Sequence, residues 1–321
     1  MAQIQLPEVQ RAEVTILVDN YSDLLLPDTD TVRRLRLLPP KAPLAEHGLS
    51  YLVSIHADGQ THTILMDAGI SGYSLIHNAS LLASRISGQL AVPTQNIKDV
   101  ECVVLSHGHF DHFGGLAHFF SSLGRKLPFV VHPGAFVERR IQFGPEFYAE
   151  LPRLTEEDLS AAGAIVEKRS APSTVADGLI LVTGTVGRTT DFEKGSPVLE
   201  ARKDGEWKID SFEDDQAIAF RVKNQGLIVL GGCSHAGIIN TITHIRNVSG
   251  INEVHAVLGG FHLSGAGEVL IEPTVRAMQE IDPQLIVPMH CTGWTAINAF
   301  AAAMPDRFML NSVGTTFLFG Q

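Results

Sequence analysis

The chain has 321 residues, 45% hydrophobic and 18% charged, enough apolar material for a large core. Its net charge of −11, with no Lys/Arg-rich block, argues against nucleic acid as a partner and leaves a small-molecule substrate, anionic only where arginine or metal charge receives it. Three cysteines make no disulfide framework, no apolar run is long enough for a membrane span, and no basic-then-apolar leader is visible, so a cytoplasmic location is expected.

Residues 14–18 read as a buried strand ending at Asp19-Asn20. Residues 21–48 carry Pro27, Pro39, Pro40 and Pro43 and are expected to form a long loop or lid, with a basic patch at Arg33, Arg34 and Arg36. Residues 49–56 and 61–66 flank Ala57-Asp58-Gly59-Gln60 as a hairpin whose second strand ends at Asp67-Ala68-Gly69. Residues 73–87 have helical spacing, and residues 100–105 form an apolar β-type run. A helix over 116–123 and a strand over 129–131 follow, and then mixed helix and loop over 134–175. A short strand at 179–182 precedes a glycine- and charge-rich segment, 184–206, expected to be irregular. Strands at 217–222, 226–230, 254–258, 285–288 and 315–319 follow, with helices at 236–248, 270–281 and 295–303 among them. Two β-rich halves with their own helices predict two face-to-face sheets with helices outside, in one domain over 1–321, with ligands where several strands end.

The stretch from Leu105 to Gly115 is the densest in chemistry, with His107, His109, Asp111 and His112 inside six residues directly after a strand. A surface histidine is ordinarily solvated, but imidazole and carboxylate at this density are what a divalent metal needs. His107 and His109 can converge on one ion, and Asp111 and His112 on a second. Two ions about 3.5–4 Å apart can activate water and clamp both attacking and leaving oxygens. Gly114 and Gly115 are expected to let the chain turn tightly into the next helix. Two further apolar strands run into histidines, His235 after Cys233 and His290 before Cys291. His235 is the stronger ligand candidate and Cys233 a possible one, since a buried thiol also behaves as a small hydrophobe. Cys102 reads as core, and Cys291 either as support behind a ligand or as packing. Asp67 reads as a carboxylate that orients a ligating histidine, Asp19 has the same placement, and Asp214 and Asp215 either orient a ligand or cap a strand. His262 and Phe261 follow a strand and are expected near substrate, as is His132. The other histidines, His47 included, read as surface or core.

Ser106 through His112, with Leu65-Met66-Asp67-Ala68-Gly69 upstream, resembles the metallo-β-lactamase superfamily. That resemblance implies an αββα sandwich of two facing mixed sheets with a dinuclear metal site at the sheet edges. A narrower resemblance rests on residues 17–20, 46–50, 214–217, 231–240, 259–263 and 289–293. It points to the branch labelled as similar to 7,8-dihydropterin-6-yl-methyl-4-(β-D-ribofuranosyl)aminobenzene 5′-phosphate synthase, and so to joining a dihydropterin to an arylamine ribose phosphate. The Thr-Pro-Gly-His ligand motif of better-known members is absent. Cys233 stands where their bridging aspartate is expected, and His235 is left to supply the imidazole.

The primary expectation is hydrolysis of a small phosphoester, lactone or amide by a metal-bound hydroxide held by His107, His109, Asp111, His112, His235 and His290, with Asp111 handling its proton. Zinc is the first expectation for the two ions, with manganese or iron as alternatives. The second is the dihydropterin transfer, with Arg139 and Arg140 holding a phosphate and Phe261 and Trp294 stacking on a flat heterocycle. Di-iron oxygen reductases of the same fold place Glu where His109 stands and need a flavin domain. Apolar residues at 141–152 (Ile141, Phe143, Phe147, Tyr148, Leu151) suit either a homodimer contact or a lid.

Overall fold

The computed structural model describes residues 3–83 and 95–320. One sheet runs in the order Ala164–Lys168, Leu127–Val131, Cys102–Val104, Gln60–Met66, Ser50–Ala57, Arg11–Val18, Thr316–Gly320 and Val32–Arg33. The other runs Ser173–Val175, Ile180–Val182, Ile218–Val222, Gly226–Leu230, Val254–Gly259 and Leu285–Pro288, with Glu8–Val9 also paired to Ile218–Val222.

Alternation sorts the side chains into layers. Val14, Ile16, Val53, Met66 and Val104 meet Ile180, Phe220, Ile228 and Leu258 in one buried cluster between the sheets. Their neighbours Leu17, Leu52, Leu65 and Val103 face outward, under Leu75 of the Gly72–Leu82 helix and Phe119 of the Leu116–Leu123 helix. On the opposite flank Val229, Val257 and Ile286 pack under Ile242, Met278 and Phe300 of the Ile238–Ser249, Glu268–Ile281 and Trp294–Ala303 helices. The result is the expected αββα sandwich. Residues 84–87 of the helix expected over 73–87 lie outside the described residues.

Two expectations are corrected. Residues 134–175 contain the Arg139–Gly144 and Phe147–Glu150 strands, the Glu156–Ala162 helix and the Ala164–Lys168 and Ser173–Val175 strands. Residues 184–206 are irregular only at first, because Leu199–Lys203 pairs with both Arg139–Gly144 and Glu206–Ile209 in a four-stranded sheet. Most side chains of these strands are half-buried or exposed, so the period-2 apolar signal that marks a strand is missing.

The strands Gln60–Met66, Cys102–Val104 and Leu127–Val131 are parallel, as are Gly226–Leu230, Val254–Gly259 and Leu285–Pro288. Their carboxyl ends deliver Asp67, residues 105–112, residues 231–235, His262 and His290 to one edge of the sandwich. Gly114 and Gly115 have right-handed φ values of −57° and −81°, so the turn itself does not need glycine. The need is close approach: a Cβ on Gly115 would lie 2.2 Å from the Ala68 carbonyl oxygen. Gly115→Ala is expected to lower stability by about 1–3 kcal/mol through the forced backbone shift. Urea unfolding of the metal-free protein measures this, and an unchanged midpoint would refute the close approach.

Candidate metal centre

Several left-handed backbone positions lie at this edge. Asp67, Phe212, Ser234, His262 and His290 all have φ between 45° and 60°, a region that non-glycine residues seldom adopt and that clusters at functional sites. At Ser234 the left-handed turn comes after Gly231-Gly232, which follow the Gly226–Leu230 strand, and Cys233 and His235 on either side of it are both buried. Gly232 is required because a Cβ there would lie 2.3 Å from Ser106 Oγ.

Asp67 orders the first cluster. Its Oδ1 accepts from Ser106 N at 2.7 Å, and its Oδ2 accepts from Ser106 Oγ at 2.7 Å and faces His112 Nδ1 at 2.6 Å. A buried carboxylate this close keeps a proton on His112 Nδ1, so Nε2 is the nitrogen turned to the centre and available to a metal. Ser106 Oγ, having given its proton to Asp67, accepts from His107 Nδ1 at 2.9 Å, so His107 Nε2 is bare. Asn20 Oδ1 faces His290 Nδ1 at 3.3 Å and orients that ring likewise.

These atoms face one another. His112 Nε2 lies 3.2 Å from His290 Nε2 and 3.1 Å from Cys233 Sγ. Asp111 Oδ2 is 3.2 Å from His290 Nε2 and 3.8 Å from His112 Nε2. On the other side His235 Nε2 is 3.2 Å from His109 Nδ1, and the rings of His107 and His235 are 4.8 Å apart. Two donors about 2.0–2.1 Å from a tetrahedral zinc stand ~3.4 Å apart, which matches these separations. His107 Nε2 and His109 Nε2 are buried with no hydrogen-bond partner among the described residues. Imidazole, thiol and carboxylate atoms converging this closely at the separations of a tetrahedral ion's ligands, two of them without a hydrogen-bond partner among the described residues, fit a metal group whose binding displaces the protons now shared between them. Two sets of donors flank Cys233, one of Asp111, His112, Cys233 and His290 and one of His107, Cys233 and His235 with His109 beside it, and a third group is Cys233, His262 and Cys291.

The electrostatics agree. Burial pushes His107, His109 and His235 well below the ordinary imidazole range, so they are neutral donors at pH 7. Burial opposes charge on His112 too, but the carboxylates of Asp67 and Asp111 outweigh it and raise its pKa to about 9, so without metal its Nε2 also carries a proton at pH 7, which an arriving cation displaces. Asp111 is desolvated, yet His112 and His290 hold it well below the usual carboxylate range. Burial raises Asp215 to about 7 even though its Oδ2 accepts from Ala236 N at 2.8 Å.

Arg139 and Arg140 correct the expectation that they hold substrate phosphate. Arg139 is 4% exposed, with Nε 2.7 Å from Asp210, Nη2 2.6 Å from Asp214 and Nη1 donating to the Gly108 carbonyl. Asp214 Oδ2 in turn accepts from Gly108 N at 2.8 Å, so this buried pair clamps the loop carrying His107 and His109. Arg140 pairs with Glu200 at 2.6 Å and lies over the rings of Tyr148 and Trp207 in the four-stranded sheet. In the 21–48 loop, Arg34 is buried and donates to Thr315 Oγ1, and Arg36 donates to the Leu26 carbonyl. These side chains hold that loop together instead of presenting a basic patch. Phe261 is 2% exposed and packs edge-on against Phe300, 5.4 Å away, as a core residue and not an open stacking platform.

Trp294 is 72% exposed and borders a cleft of about 220 Å³ with Asp19, Asn20, Tyr21, His290 and Asn311. Asp19 accepts from His290 N at 3.0 Å and from Asn311 Nδ2 at 2.7 Å, and so fixes the cleft to the centre. His262 lies with its ring centroid 4.0 Å from that of His235, and its Nδ1 is buried without a partner. His132 is engaged with Thr185 Oγ1 and Gly134 N and belongs to none of the donor sets. Two neighbours were not foreseen. His47, set aside as surface or core, has Nε2 3.4 Å from Asp111 Oδ2 and its ring 4.9 Å from His290. Phe212 stacks on His235 at 4.0 Å with the planes 2° apart.

The family profile of the metallo-beta-lactamase superfamily matches residues 45–196. Over 274 residues the chain is 31% identical to 7,8-dihydropterin-6-methyl-4-(beta-D-ribofuranosyl)-aminobenzene-5'-phosphate synthase of Methanocaldococcus jannaschii, covering 82% of this chain and 87% of that protein. An uncharacterised protein of the same organism is 29% identical, covering 84% of this chain and 92% of its own. The crystal structure of Tm1679, described as a metal-dependent hydrolase of the beta-lactamase superfamily, superposes with a TM-score of 0.69 at 23% identity, covering 95% of this chain and 98% of that one. The chain belongs to the metallo-beta-lactamase superfamily, in the branch of the dihydropterin synthase. The likeness to Tm1679 shows the fold.

Asp67→Asn is expected to weaken metal binding by about 10–100-fold, because an amide cannot accept from Ser106 and His112 together. Competition with a coloured chelator measures this, and wild-type affinity would refute the orienting role of Asp67.

Proposed function

We propose that the chain is a dinuclear metallohydrolase acting on a small phosphoester, lactone or amide. What supports this reading most is the confrontation of imidazole and carboxylate atoms at 3.2–3.8 Å on two sides of Cys233, buried at a sheet edge beside an open cleft. Divalent ions, when bound, supply the charge that acidifies water and polarises a phosphoryl or carbonyl oxygen. His107, His109 and His235 form one holding set, and Asp111, His112 and His290 the other. Asp111 is placed to accept the proton of an attacking water, since its Oδ2 faces the centre between His290 and His47. His262 directs a partnerless nitrogen beside His235 and is suited to hydrogen-bond substrate. The side chains of Trp294 and Tyr21, at the mouth of the cleft, offer flat faces to the part of the substrate that does not react.

A second reading, group transfer to a dihydropterin, is favoured by the name of the 31% identical relative and by that same cleft. In this reading Trp294 stacks on the heterocycle and Asn311, whose Oδ1 is buried without a partner, accepts from its ring N–H.

The two readings part in one assay series on metal-loaded protein, using phosphomonoesters, phosphodiesters, lactones, and a dihydropterin whose 6-methylene carbon carries a diphosphate leaving group, offered with an arylamine ribose phosphate so that C–N bond formation releases diphosphate. Turnover of an ester or lactone, abolished by chelator and by His290→Ala, is the result expected for a hydrolase. Condensation without any hydrolysis would overturn that reading in favour of transfer. Trp294→Ala is expected to raise KM several-fold with little change in kcat if the cleft binds the unreactive part of the substrate.

A further inference from the structure

Cys233 is the one donor common to both sets. Its Sγ lies within 4.8 Å of the ligand atoms of Asp111, His112 and His290 on one side and of His107 and His235 on the other. It stands 3.1 Å from His112 Nε2, the nitrogen that the Asp67 contact on Nδ1 turns toward the centre. The side chain is 2% exposed, yet it belongs to none of the three apolar clusters among the described residues. Cys102 is the contrast: equally a buried thiol, it packs inside the cluster between the sheets. A small hydrophobe would sit among aliphatic carbons, whereas Cys233 sits among nitrogen and oxygen atoms.

The third thiol does not compete for this place. Cys291 groups only with Cys233 and His262, and its Sγ points to the Cys233 carbonyl oxygen at 3.6 Å. Gly260 leaves space for it, since a Cβ there would come within 2.6 Å of Cys291 Sγ.

We propose that Cys233 is a bridging ligand, its thiolate shared between the two metal positions, and that it selects thiophilic divalent ions such as zinc, cobalt or iron(II) over manganese and magnesium. The inference rests on the dinuclear reading above and sharpens it. Binding releases the thiol proton to solvent and puts one sulfur lone pair on each ion. Thiolate is a soft donor, whereas carboxylate in the same place would suit manganese and magnesium.

The test is titration of metal-free protein with cobalt(II), read by the thiolate-to-cobalt charge-transfer absorption and by bound metal per chain. The wild type is expected to take up two ions, with the absorption still changing during the second equivalent because the same sulfur acquires a second bond. Cys233→Ser is expected to lose the absorption and to bind the ions more weakly than loss of an outer hydrogen-bond partner would cause, roughly 10–100-fold. Cys233→Asp, which retains a bridging donor if the serine variant misfolds, is expected to bind two ions without the absorption and to shift zinc-over-manganese preference toward manganese. Cys291→Ser should keep the wild-type spectrum. An absorption complete at one equivalent and unaltered by the second would overturn the bridge. So would one that survives Cys233→Ser and vanishes in Cys291→Ser. Two bound ions without any thiolate absorption would remove the thiolate while leaving the dinuclear reading intact, and no bound ion would remove both.

Discussion

Asp67 takes Ser106 N on one carboxylate oxygen and Ser106 Oγ and His112 Nδ1 on the other, from a left-handed backbone position at the end of a central strand. The rest of the centre depends on those contacts. They fix which nitrogen of His112 faces the centre, and through Ser106 they fix which nitrogen of His107 is bare. Without them the two rings would turn and satisfy each other or water, and the cluster would be an ordinary buried polar network. With them the interior holds imidazole, thiol and carboxylate atoms crowded together away from water, an arrangement that costs stability until a cation fills it. The fold supplies the force that holds it: cores on both faces of each sheet and the buried Arg139 clamp on Gly108 keep the strand ends from relaxing apart.

The layered fold was legible in the sequence because its central strands are nearly continuous apolar runs bounded by glycine, aspartate and histidine. Leu227 to Leu230 and Val257 to Leu258 are buried on both faces and read directly as strands. The four-stranded sheet was not legible. Arg139–Gly144 and Glu206–Ile209 bury little, so cross-strand ion pairs and ring contacts replace the apolar alternation on which sequence reading relies.

The donors were legible where local density gave them away. His107, His109, Asp111 and His112 lie in one loop, and His235 and His290 each end an apolar strand. His47 and Phe212 were not legible as neighbours of the centre because only tertiary folding brings their loops to the edge: His47 lies in the proline-broken 21–48 segment, and a phenylalanine carries no metal-type atom. Arg139 misled for the opposite reason. An arginine pair after an aromatic looks like an anion site, but its partners Asp210 and Asp214 are 71 and 75 residues away along the chain. A charge read without its distant partner cannot be told from a free one.

The claim at the centre of this account is that the strand-end cluster holds two metal ions at once. Metal content per chain, measured by mass spectrometry on protein purified without added metal, tests it most directly. The account predicts close to two ions, zinc foremost, lost together when Asp67 is changed to asparagine and the protein is dialysed. One ion or fewer per chain, not raised by incubation with zinc, cobalt or iron(II), would contradict it.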